Sequence, residues 1–95
     1  MNGTTKKTVV ITGAASGIGR ATGDWFLALH HRVVAVDLPG PALDVLAGVE
    51  APGLLVRACD QGSKPDVVAL YDWLDRTVGS IDVLLNDATL TTRIL

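Results

Sequence analysis

The run Thr12-Gly13-Ala14-Ala15-Ser16-Gly17-Ile18-Gly19 has the composition of a loop that cradles phosphate. A pyrophosphate needs backbone N–H groups aimed at it and no side chains in the way. A helix N-terminus supplies those groups and a favourable partial charge, and glycine lets the backbone approach closely. Gly13, Gly17 and Gly19 fall between a short β-branched run and a helical pattern, and Ser16 adds a hydroxyl donor. On spacing alone, a tight turn with glycines for packing competes with this reading. Asp37 weighs against it. An acidic residue at the end of a second strand, about 20 residues on, is placed to accept from the hydroxyls of a dinucleotide ribose. The bland alternative for Asp37 is a solvated strand end before the turn at Pro39.

Other reactive side chains offer less. His30 and His31 are adjacent, and neighbours on a helix do not face each other, so no metal or proton-relay pair is expected. Cys59 is the only cysteine, which excludes an internal disulfide and a cysteine metal cluster. No metal site is predicted. Tyr71, the only tyrosine, falls on an apolar helical stripe and reads as a core residue with its hydroxyl at the edge.

The elements that must position these residues alternate. Thr8 to Ile11 is a first strand. From Gly17 to about His30, Ile18, Ala21, Thr22, Trp25, Phe26 and Leu29 recur at helical spacing, although Gly23 inside that helix costs about 1 kcal/mol relative to alanine. Arg32 to Asp37 is a second strand, Leu38 to Pro41 a turn, and Pro41 to Ala47 a short helix. Leu54 to Asp60 is a third strand after the turn at Pro52-Gly53. Ser63 caps the next helix, with Pro65 and Asp66 in its first turn. Val67, Leu70, Tyr71, Leu74 and Val78 form its stripe, and Gly79 closes it. Ile81 to Asn86 is a fourth strand. The pattern β-α-β-α-β-α-β predicts an α/β fold, a doubly wound parallel sheet of the Rossmann kind with right-handed crossovers and strand order 3-2-1-4. The ligand crevice then lies between strands 1 and 4, where the order reverses.

Composition narrows the class. The chain has 95 residues, is 48% hydrophobic and carries a net charge of −2, so residues 1–95 are read as a single domain. Lys and Arg are scattered and aromatics are few, so no nucleic-acid footprint is expected. The polar start, Met1 to Lys7, is not a signal peptide. The apolar runs are too short for a membrane span. A cytoplasmic location is the default expectation.

The spacing T-G-x-x-x-G-x-G together with Asp37 resembles the short-chain dehydrogenase/reductase family, from about Thr8 to Thr89. Gly17-Ile18-Gly19-Arg20-Ala21 and Val33 to Leu38 are further matching pieces. The resemblance makes Asp60 the aspartate that contacts adenine after strand 3. It makes Ile81 to Ala88 the stretch leading into N-N-A-G, with Asn86 and Ala88 kept. The cofactor positions it implies are Thr12, Gly13, Ser16, Gly17, Ile18, Gly19, Asp37, Leu38, Asp60, Asn86 and Ala88. It also implies binding of a nicotinamide dinucleotide, NAD or NADP, and hydride transfer to or from an alcohol/carbonyl pair. Asp37 argues for NAD, because a 2′-phosphate would meet its negative charge. No Arg or Lys stands at Ser16 or Leu38 to receive that phosphate, and Arg20 is expected to face solvent.

The sequence also departs from the family. The family's catalytic serine, tyrosine and lysine, the last four residues after the tyrosine, have no counterpart, since Asp75 follows Tyr71 at that spacing. No catalytic residue is assigned, residues 1–95 read as a partial dinucleotide-binding domain, and the chain alone is not expected to turn over. Asp87 and Thr89 replace an amide and a glycine of N-N-A-G. His30-His31 stands where a glycine usually closes the first helix; histidine tolerates the left-handed conformation better than most residues. Strand 4 is expected to have a bare outer edge beside Val83 and Leu85, prone to self-association or docking to a longer chain. Two alternatives stand beside a dehydrogenase portion: a non-catalytic nucleotide-binding module, and an interaction protein that docks through that edge.

Overall fold

The computed structural model describes residues 6–86. The elements run β1 (Thr8–Thr12), α1 (Gly17–Ala28), β2 (Arg32–Asp37), α2 (Pro41–Ala47), β3 (Leu54–Ala58), α3 (Lys64–Thr77) and β4 (Val83–Asn86). The four strands form one parallel sheet in the order β3-β2-β1-β4, as the alternation predicts. Asp82 clips β4 to the start of β1. Its carboxylate accepts the Thr8 N–H at 2.8 Å, and its own N–H donates to the Thr8 carbonyl at 2.9 Å.

The strands are apolar almost throughout because helices cover both faces. On one face Val9, Ile11, Val33 and Ala35 pack with Ala14 and with Leu46 of α2. On the other, Val10, Val34 and Val36 pack with Cys59 and with Leu70 and Leu74 of α3. Ser63 caps α3, its hydroxyl oxygen accepting the Asp66 N–H. Gly79 ends it in the left-handed region at φ +75, with its N–H on the Leu74 carbonyl.

The packing faces of two helices differ from those predicted. In α1 most of the expected stripe faces outward, Phe26 excepted: Ile18 is 67% exposed, Trp25 60% and Leu29 44%. The face on the sheet is made by Gly19 and Gly23, both buried, with Phe26 and Leu27 packed beside them. Small residues let the helix backbone lie close to Ile11 and Val33. Periodicity reveals an apolar face but not which neighbour covers it. In α3, Tyr71 is 45% exposed and is not a core residue. Trp73 takes that place, packed against the core with the Arg57 guanidinium 4.9 Å from its ring centre. Smaller differences are at the ends: β1 includes Thr12, β3 stops at Ala58 rather than Asp60, and α1 stops at Ala28 with Leu29 as its cap.

The end of α1 explains the histidine pair. The His30 N–H donates to Leu27 and the His31 N–H to Phe26. These are the two bonds of a Schellman closure, with His30 at the position glycine normally fills. Its φ is +68, the only positive value at a non-glycine among the described residues. His31 is buried and its Nδ1 accepts the Lys7 N–H at 3.0 Å. A left-handed histidine is strained, so His30→Gly is expected to raise stability by about 0.5–1 kcal/mol, after the entropy glycine adds to the unfolded chain. Urea denaturation reads this as a higher midpoint at unchanged slope. An unchanged or lower midpoint would contradict it.

Candidate functional site

The glycine loop leaves the carboxyl end of β1 in the conformation its sequence demands. Gly13 and Gly17 have φ of +71 and +61, where a side chain is strained. Apart from the adjoining residues and the helix's own backbone, no heavy atom of the described residues lies within 4 Å of the place a Cβ on Gly17 would occupy. The space in front of that backbone is open. Ser16, extended at φ −155, caps α1 without a side-chain hydrogen bond, so its hydroxyl is free to donate. The first turn of α1 carries no acidic residue to neutralise the helix's positive end. These features fit a bound pyrophosphate.

Asp37 stands at the end of β2, beside the loop. One carboxylate oxygen accepts the Ala15 N–H at 2.9 Å and the other the Leu38 N–H at 2.8 Å. A carboxylate has about four acceptor positions, so two are left for other donors. The Ala14 N–H adds a second tie, to the Val36 carbonyl at 3.1 Å. Across the sheet, the Thr12 hydroxyl donates to Asn86 Oδ1 at 2.8 Å. Thr12 itself is only 5% exposed, so it orients Asn86 rather than presenting itself to a ligand.

Two concavities open at this end of the sheet and meet at Asn86. The larger, about 500 Å³, is lined by Asp37, Leu38, Cys59, Asp60, Gln61, Gly62 and Asn86. The smaller, about 320 Å³, is lined by Ile11, Ile18, Gly19, Thr22, Leu85 and Asn86. Asp60 lies outside β3 and accepts the Gly62 N–H at 2.9 Å, a turn that brings Gln61 and Gly62 to the wall. The sequence reading missed those two and Cys59; the signal was the short Asp-x-Gly turn after the strand. Burial, then Asp66 and Asp60, push the Cys59 thiol up, against a smaller lowering by Arg57. It is a protonated wall residue rather than a nucleophile.

Thr12, Gly13, Ser16, Gly17, Ile18, Gly19, Asp37, Leu38, Asp60 and Asn86 thus converge on one end of the sheet. Ala88, with Asp87 and Thr89, lies outside the described residues. Arg20 does not point freely into solvent. Its side chain is 35% exposed and runs beside Asp24 at 3.6 Å, against a small gap lined by Leu27, Leu46 and Leu54. Among the described residues, no lysine or arginine lines the larger concavity. Among the described residues, no cluster of three or more His, Cys, Asp or Glu side chains could hold a metal.

A parallel sheet with this order, and a glycine loop opening a helix at its reversal point, define a dinucleotide-binding α/β protein of the Rossmann class. Residues 7–94 match the short chain dehydrogenase family, and the chain belongs to that family. It is 42% identical over 82 residues to an uncharacterized short-chain type dehydrogenase/reductase of Sinorhizobium fredii, covering 86% of this chain and 15% of that protein. A 3-ketoacyl-(acyl-carrier-protein) reductase from Brucella melitensis, solved in complex with NADH, superposes with a TM-score of 0.74 at 31% identity, over 82% of this chain and 32% of that one. A menthone neomenthol reductase from Mentha piperita gives a TM-score of 0.78 at 27% identity, over 90% and 32%. The chain therefore spans about a third of the solved structures it matches.

Proposed function

We propose that this chain is the cofactor-binding portion of an oxidoreductase acting on an alcohol/carbonyl pair, and that it takes NAD in preference to NADP. Asp37 carries the choice of cofactor. Its carboxylate faces the larger concavity, and among the described residues two of its acceptor positions are unfilled and no cation lines that wall. Two ribose hydroxyls satisfy such a group, whereas a 2′-phosphate meets like charge. The NADH in the Brucella melitensis reductase supports the same reading.

Bound there, a nicotinamide dinucleotide supplies or accepts the hydride of the reaction. The residues of this chain bind and orient. The N–H groups at the start of α1 and the Ser16 hydroxyl take the pyrophosphate, and Gly17 keeps their approach clear. Asp37 holds the adenosine ribose. Asp60, Gln61 and Gly62 form the wall for the adenine, and Thr12 fixes the Asn86 amide at the junction of the two concavities. The 95 residues hold no tyrosine followed four positions later by lysine, and Tyr71 is exposed on the outer side of α3. The chain alone is therefore proposed to bind without turning over.

Calorimetric titration with NAD and NADP separately tests this. NAD is expected to saturate and NADP to bind at least about tenfold more weakly, the scale of one charged hydrogen bond. Asp37→Ala is expected to erase the preference. Equal affinity of the native chain for both would overturn the cofactor choice, and no binding by a folded chain would overturn the site.

A second feature concerns partners. Among the described residues β4 pairs only with β1, and it carries Leu84, 50% exposed. On the other face of the sheet α1 presents Ile18, near Leu85, and Trp25 to solvent. An unprotected apolar edge pairs with other chains. Sedimentation is expected to show species heavier than the 9.9 kDa chain; a single monomeric species would contradict association.

A further inference from the structure

We propose that Asp37 is a positioning residue for the glycine loop as well as a ribose acceptor. The inference rests on the reading that the loop takes a pyrophosphate. The loop has few internal restraints, because Gly13 and Gly17 are the residues with the widest conformational freedom. Two bonds tie it to β2: the Ala14 N–H to the Val36 carbonyl at 3.1 Å and the Ala15 N–H to the Asp37 carboxylate at 2.9 Å. The second is charge-assisted and therefore the stronger. The other oxygen of the same carboxylate holds the Leu38 N–H at 2.8 Å, which fixes the carboxylate plane. Asp37 is thus a clasp between the loop and the end of β2. It holds Ala15, one residue before the Ser16 cap and two before Gly17, where the backbone must face the phosphates.

The clasp has a consequence that ribose recognition lacks. A ligand without a ribose should still sense Asp37. The sign of the effect separates the two roles. If Asp37 met only ribose, removing its negative charge would leave binding of an inorganic anion unchanged or strengthen it. If it holds the loop, removal weakens that binding despite the lost repulsion. The same clasp predicts that removing Asp37 does not by itself produce a good NADP site, since both cofactors share the loop.

The experiment titrates inorganic pyrophosphate into the native chain, Asp37→Ala and Asp37→Asn, and follows amide exchange at Ala15 in the free proteins. Asn is neutral like Ala but its Oδ1 still accepts one N–H, so the pair separates charge from hydrogen bonding. The clasp predicts pyrophosphate binding about tenfold weaker in Asp37→Ala, substantial recovery in Asp37→Asn, and faster Ala15 exchange in Asp37→Ala alone. Equal or tighter pyrophosphate binding by Asp37→Ala, or Ala15 exchange unchanged from the native chain, would overturn it. A native chain that binds neither pyrophosphate nor NAD would instead refute the phosphate reading, and Ala15 exchange would still decide the clasp.

Discussion

Gly17→Ala is expected to lower NAD affinity about a hundredfold while costing only about 1–2 kcal/mol of folding stability. The two effects separate because of where Gly17 sits. Its φ of +61 is strained for alanine, which accounts for the stability term. Beyond the adjoining residues and the helix's own backbone, a methyl there meets no atom of the described residues within 4 Å, so no tertiary clash is expected in the free chain. On the proposed reading, the pyrophosphate occupies the open space beside Gly17 at the start of α1, and the methyl competes with it there. A phosphate pushed away from the donors at that helix start loses more than one charged hydrogen bond, each worth roughly 1.5–3 kcal/mol. Calorimetry gives the affinity and urea denaturation the stability. Unchanged NAD affinity in a folded variant would show that the pyrophosphate does not lie over this glycine.

The second large effect is on the scaffold. Leu74→Ala is expected to destabilise the chain by about 3–4 kcal/mol. Leu74 is 1% exposed and packs with Val10, Val34, Val36 and Leu70. Among the described residues α3 is the only helix on that face of the sheet, so no neighbouring helix can shift to close the cavity. Domains of this size are held by roughly 5–15 kcal/mol in total, so the loss is a large fraction. Val68, on the same helix but 52% exposed, is the control, and its change to alanine should stay within about 0.5 kcal/mol. Similar denaturation midpoints for the two variants would mean that α3 does not pack on the sheet through Leu74.

The fold was legible in the sequence because β-branched runs, turn residues and helix caps agree at each step. Ser63, Gly79 and the Leu38-Pro39-Gly40-Pro41 turn each mark a boundary that the structure keeps to within a residue or two. The strand order followed from alternation, which forces parallel neighbours and right-handed crossovers. The helix faces were less legible. Ile18, Trp25 and Leu29 keep helical spacing, yet glycines at 19 and 23 bring the opposite side of α1 closer to the sheet. Tyr71 and Trp73 are two positions apart on α3, and only tertiary contact shows which of them packs.

The placement of most candidate residues at one end of the sheet was also readable, since Gly13, Gly17 and Asp37 have a mechanical reason to be where they are. The indirect roles were not. That Thr12 acts through Asn86, and that the Asp37 carboxylate holds the Ala15 N–H, depend on distances across 74 and 22 positions of chain. No local pattern encodes them. The same holds for Arg20, which lies against the core beside Asp24 instead of reaching outward.

One end of this sheet is proposed to hold a nicotinamide dinucleotide across two adjoining concavities. Amide chemical-shift mapping on the 95-residue chain during titration with NAD tests it most directly. Saturating shifts are expected in Gly13 to Arg20, at Asp37 and Leu38, at Asp60 to Gly62 and at Asn86, with Gly53 and the end of α3 unmoved. Shifts confined to the outer faces of the helices, or no shifts in a folded chain at saturating NAD, would contradict it.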